Sequence, residues 1–134
     1  MGYQGGFPQA PVKSIRGRYD FVNDGGAVGT IDISGEIPAG AYILGGFVEV
    51  DTAVTSGGAG AVAIKVEGAG DIVASAVVSG APWSTTGLKT VIPVFTGATV
   101  VKTSAKRHIQ AVIAAAALTA GVFDVVLFYF AIPD

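Results

Sequence analysis

His108 is the only imidazole in the chain, and it directly follows Lys106 and Arg107. A general base needs a pKa near the working pH and a substrate within reach. No carboxylate neighbours His108 in sequence, so Glu49, Asp51 or Glu67 would have to approach it through the fold. The triplet Lys106-Arg107-His108 suits an ion pair with a carboxylate on a partner chain better than it suits catalysis. Glu49 and Asp51 share one side of a strand-like run, about 6.6 Å apart at two-residue spacing. A glycosidase uses such a pair, but no aromatic platform accompanies it here, and a solvated or interface-facing side is the plainer reading. The same pair with backbone oxygens resembles half of a divalent-cation site. Calcium-loop spacing is absent, and no metal site is expected.

Other motifs lose their chemistry in context. Gly58-Ala59-Gly60-Ala61-Val62-Ala63 matches a G-x-G-x-x-A fingerprint. A dinucleotide site needs the second glycine to open a helix, whereas the residues that follow alternate as a strand. A hairpin loop is expected. With no cysteine, the chain has no thiolate nucleophile, sulfur-ligated metal or disulfide. Trp83, between Pro82 and Ser84, fits two uses equally: a plug at the end of a sandwich, or a loop contact. Neither an enzyme nor a cofactor is expected.

The elements that must position these residues are strands. The 134 residues suffice for one domain with a real core. Only 13% of them are charged and 51% are hydrophobic, against about 25% charged in ordinary soluble domains. So pale a surface suits contacts between subunits. The net charge of −2 argues against a basic nucleic-acid footprint. The start, Met1 to Phe7, lacks both a basic leader and an apolar run, so no secretory signal is expected. Ile109–Ile132 is apolar on average, but Gln110, Gly121 and Asp124 interrupt it. It reads as two strands and not as a membrane span.

Residues 1–15 are Gly- and Pro-rich without periodicity, with Tyr3 and Phe7 as aromatic anchors. They read either as an extended arm that orders on a neighbouring chain or as a floppy terminus. The body is expected over 16–134. Tyr19 and Phe21 alternate with Arg18 and Asp20, and Asn23-Asp24-Gly25-Gly26 signals a tight turn. Tyr42–Val54 is the longest strand-like run, with Val48, Val50 and Val54 on one side and Glu49 and Asp51 on the other. Val62, Ile64 and Val66 carry the next strand, followed by Ile72–Val78, Leu88–Val94 and Ala98–Lys102. Residues 108–117 combine helix-favouring alanines with β-branched residues; strand is predicted. Leu118-Thr119-Ala120-Gly121 reads as a turn into Val122–Ile132. That last strand is apolar on both sides apart from Asp124, as expected of a central strand or one covered by a partner. The sum is an all-β, antiparallel two-sheet sandwich of about eight strands with Gly-rich turns and no helix.

The stretch Ile37-Pro38-Ala39-Gly40-Ala41-Tyr42-Ile43-Leu44-Gly45-Gly46-Phe47-Val48-Glu49-Val50, with Leu118-Thr119-Ala120-Gly121-Val122-Phe123 and the terminal strand, resembles small β-sandwich proteins of tailed-bacteriophage structural modules. These are head decoration or cement proteins, and in some cases attachment domains of head fibres. The resemblance spans roughly residues 26–132. It implies a jelly-roll-like domain, commonly a homotrimer, made in the host cytoplasm. On the virion exterior it would clamp neighbouring subunits of the major capsid protein, with no nucleic acid, membrane or small-molecule cofactor. Under that reading Tyr3, Phe7, Lys13, Arg16 and Arg18 are candidate contacts to the shell, the three basic residues docking on an acidic protein surface. Trp83, Arg107, His108, Phe128 and Tyr129 are candidates for subunit or loop contacts. Two alternatives share the fold: a receptor- or carbohydrate-binding head-fibre or tail-fibre domain acting through the Trp83 loop, and a small coat subunit.

Overall fold

The computed structural model describes residues 11–131. In chain order they form β1 (Lys13–Asp20), a one-turn helix α1 (Phe21–Asp24), β2 (Gly29–Asp32), β3 (Ala41–Ser56), β4 (Ala61–Lys65), β5 (Val73–Val77), β6 (Gly87–Thr90), β7 (Val101–Lys102), β8 (Gln110–Ala114) and β9 (Leu118–Ala131). Every pairing between them is antiparallel. One sheet has the order β1-β9-β3-β6, with β7 also on β3; the other has the order β2-β8-β4-β5. Leaving aside the two-residue β7, consecutive strands alternate between the two sheets except for β4 and β5, which pair side by side in the second. The all-β sandwich expected from the sequence is the observed fold.

Period-2 patterning explains the core. Val48, Val50, Phe123, Val125 and Leu127 point inward from the first sheet, meeting Val62, Ile64, Ala111 and Ile113 from the second in one buried cluster. The β3–β9 ladder is the spine. It runs from Ala41↔Ala131 to Ser56↔Leu118 and is offset by bulges at Ile43/Gly45 and beyond Val50. Gly46 is required there, because a Cβ on it would lie 2.0 Å from the Val126 carbonyl oxygen.

The local departures from expectation have identifiable causes. At the Asn23–Gly26 turn signal the chain first makes a helical turn. The Asp20 carboxylate accepts from the Val22 N–H at 3.0 Å, while Asp24 accepts from the Asp20 N–H at 2.9 Å. β6 ends at Thr90 because the Ile92 N–H leaves for the Ile72 carbonyl at the other sheet. Of the expected Ala98–Lys102 strand only Val101 and Lys102 pair, since Thr99 and Val100 donate back to Thr96. The predicted turn at Leu118–Gly121 is instead the start of β9, with the reversal moved forward to Ala115, whose φ is +70°. Residues 110–114 are strand, as predicted, and Ile109–Ile132 supplies β8 and β9. Among the described residues no helix is long and apolar enough to cross a membrane. The first sheet pairing, Lys13↔Tyr129, begins ahead of the expected body boundary at residue 16. The arm residues Tyr3 and Phe7 lie outside the described residues.

Candidate assembly surface

Of the side chains that the sequence singles out, the outer face of the β1-β9-β3-β6 sheet gathers Arg16, Arg18, Glu49, Asp51 and Phe128. Register places Arg18 beside Asp124, Asp124 beside Glu49, and Glu49 beside Leu88. Asp124 is only 8% exposed, and such a carboxylate needs partners. Arg16 supplies two bonds to its Oδ1, from Nε at 3.1 Å and Nη2 at 3.0 Å. Arg18 Nη1 reaches both oxygens, at 3.2 and 3.1 Å, and also Asp51 Oδ2 at 3.3 Å. The Arg18 guanidinium is held above its ordinary pKa, chiefly by its hydrogen bond to Asp124. Arg16 and Arg18 thus serve an acidic partner within their own chain and do not form a free basic patch.

The Glu49–Asp51 pair does share a face, and Asp124 joins it, the three carboxylates each offering an oxygen within 4.8 Å of the others. The two guanidiniums already take up the oxygens of Asp124 and one of Asp51. A cation would have to displace them. The donor set fits an ion-pair cluster better than a metal site.

Next to this charged row the face becomes aromatic. Phe47 and Phe128 are tilted neighbours with ring centroids 6.5 Å apart, and Tyr42 stacks on Phe130 at 5.2 Å. Lys102 Nζ sits 5.2 Å from the Tyr42 ring centroid, within cation–π range. Phe95, from the connection after β6, lies over Gly45, where a Cβ would come within 2.5 Å of its ring. Phe128 and Tyr129 are both interface candidates by sequence, but strand alternation separates them. Phe128 faces outward and half-buried, whereas Tyr129 belongs to the core.

The remaining candidates lie elsewhere. Trp83 is the plug: its side chain is fully buried, its ring centroid is 4.7 Å from that of Phe123, and its Nε1 donates to the Val62 carbonyl at 3.1 Å. It offers nothing to a ligand at the surface. His108 Nδ1 is 3.0 Å from the Ser34 carbonyl oxygen, which can only accept, so the ring donates from this nitrogen. With Ile109 N–H donating to Ser34 Oγ, His108 fastens the β2 end to β8.

Arg107 finds its carboxylate within the chain. Its Nε donates to Glu67 at 2.8 Å, and Glu67 also accepts from the Ser104 N–H and hydroxyl at 3.0 and 2.6 Å. These bonds, led by the one from Arg107, pull the Glu67 carboxyl down to about 2. The folded value lies below the ordinary 4.5, so this latch contributes stability above about pH 4.5 and loses it as the pH falls toward 2. We expect the wild-type melting temperature to fall across that window more than that of Arg107→Ala. Equal slopes for the two proteins would contradict the assignment.

Neither the Asp124 cluster nor the Glu67 latch follows from the sequence reading. Two signals for the first are present: Asp124 is the one charged residue in its strand, and Arg16 and Arg18 alternate on another. The Glu67 latch joins residues 40 apart and leaves no local trace.

No protein-family model matches the sequence, and no curated protein does. Two solved structures share the fold. A chain of the cyanophage Pam1 capsid asymmetric unit superposes with a TM-score of 0.62 at 18% identity, over 98% of this chain and 92% of that one. A chain of the acidic stable capsid structure of Helicobacter pylori bacteriophage KHP30 gives 0.60 at 12% identity, over 89% and 86%. At such identities the likeness is one of fold, and it covers nearly the full length of all three chains.

Proposed function

We propose that the protein is a non-enzymatic virion component that decorates a phage capsid. It binds the outer surface of the shell as a homotrimer and clamps neighbouring copies of the major capsid protein. The near full-length likeness to chains of two phage capsid structures carries this reading. The low charge of the chain and the aromatic outer face of the β1-β9-β3-β6 sheet support it, since a structural subunit needs surfaces that lose water readily. Repetition over the shell turns modest contacts into firm attachment through avidity. Burial of Trp83 weighs against the carbohydrate-binding alternative, which relied on that ring in an exposed loop.

In this reading residues 1–12 reach across a subunit boundary and anchor the sandwich to the shell. Twelve extended residues span at most about 40–43 Å, enough to cross onto a neighbour. A variant lacking residues 1–12 keeps β1 whole and is expected to retain the β-sheet circular dichroism and cooperative melting of the full chain. Its binding to shells stripped of this protein is expected to fall at least tenfold. Undiminished binding, or loss of folding, would refute the anchoring role.

A further inference from the structure

The aromatic outer face continues onto a group of exposed apolar side chains on β6 and the connection that follows it. Leu88 on β6 is 69% exposed, and Phe95, Val94 and Ile92 in the following connection are 63%, 55% and 43% exposed. Phe95 also has a φ of +63°, a left-handed conformation that is strained for a bulky residue. Its N–H is fastened to the Leu44 carbonyl at 2.6 Å, and its ring lies on the bare backbone of Gly45. The strained backbone thus holds an aromatic ring out in water, on a face that already carries Phe47 and Phe128. Single exposed apolar residues need no explanation, but a contiguous group of this kind marks a contact.

The charges at the two ends of the face select the occupant. At one end three carboxylates meet two guanidiniums, leaving one negative charge, with Glu49 exposed. At the other end stands the Lys102 ammonium over Tyr42. Seven residues of β3 separate Glu49 from Tyr42, about 23 Å at strand spacing, so the two charges do not meet within one copy. Two further copies of the chain, one meeting each end, satisfy both.

We propose that this face is the contact between copies of the protein, with Leu88 and Phe95 buried at its centre and Glu49 of one copy paired with Lys102 of the next. The inference rests on the decoration reading only for the number of copies; the head-to-tail pairing of unlike ends is the kind that closes a ring.

Sedimentation velocity over a concentration series tests it. The full chain should associate, and the Leu88→Ser/Phe95→Ser variant should sediment as a monomer with unchanged circular dichroism. Glu49→Lys and Lys102→Glu should each weaken association about tenfold, and the double swap should restore it. A full chain that stays monomeric at every concentration would overturn the proposal, as would Leu88 and Phe95 substitutions without effect. A double swap no tighter than either single swap would overturn the pairing. Monomers that still coat stripped shells would sink this inference and leave the decoration reading standing; oligomers that ignore shells would do the reverse.

Discussion

Trp83→Ala is expected to lower unfolding stability by about 3–5 kcal/mol, the usual cost of deleting a large, fully buried aromatic. The side chain closes the sandwich against Phe123, which in turn stacks on Tyr19 with centroids 5.2 Å apart. Removing the indole therefore leaves a cavity beside the Phe123 ring and orphans the Val62 carbonyl, which had accepted from Nε1. Trp83→Phe keeps much of the volume and loses only the donor, so about half the cost or less is expected. Urea denaturation of the three proteins at neutral pH measures both steps. A Trp83→Ala protein within 1 kcal/mol of wild type (an experimental threshold of about one hydrogen bond) would mean that the ring is not the plug described here.

The second large effect is expected from Gly46→Ala. The added methyl would meet the Val126 carbonyl oxygen at 2.0 Å and the Leu127 Cα at 3.0 Å, both backbone atoms of β9. Gly46 also has a φ of +154°, which side chains adopt rarely. Backbone strain of about 1–3 kcal/mol and overpacking of a similar size add where the spine of the fold cannot part. Gly57, with open space around its Cβ position, is the control: Gly57→Ala should change stability by less than about 0.5 kcal/mol. Similar midpoints for the two variants would contradict the close approach of β3 and β9.

The architecture is legible in the sequence because period-2 alternation survives in β1, β3 and β8. Val48, Val50 and Val54 against Glu49 and Asp51 mark the core side and the outer side of β3 by spacing alone. Boundaries are less legible, since they depend on partners. Leu118–Gly121 carries turn residues yet pairs with β3, and β6 ends where Ile92 finds the other sheet. The site is legible only in fragments. Arg16, Arg18, Asp51 and Asp124 are each visible, but their meeting needs β1, β9 and β3 side by side, which no local spacing encodes. Arg107 is expected from sequence to seek a carboxylate on a partner chain, and it has one in Glu67 of its own. The role of Phe95 is hidden altogether, because a ring over Gly45 arises from the path of a loop and not from the periodicity of a strand.

Copies of the protein per particle test the central claim most directly. Particles of the native source, banded on a density gradient and analysed by quantitative mass spectrometry, should carry this chain in a fixed ratio to the major capsid protein, at on the order of hundreds of copies per shell, as repeated attachment through avidity requires. Particles that contain none of it would contradict the assignment to the virion.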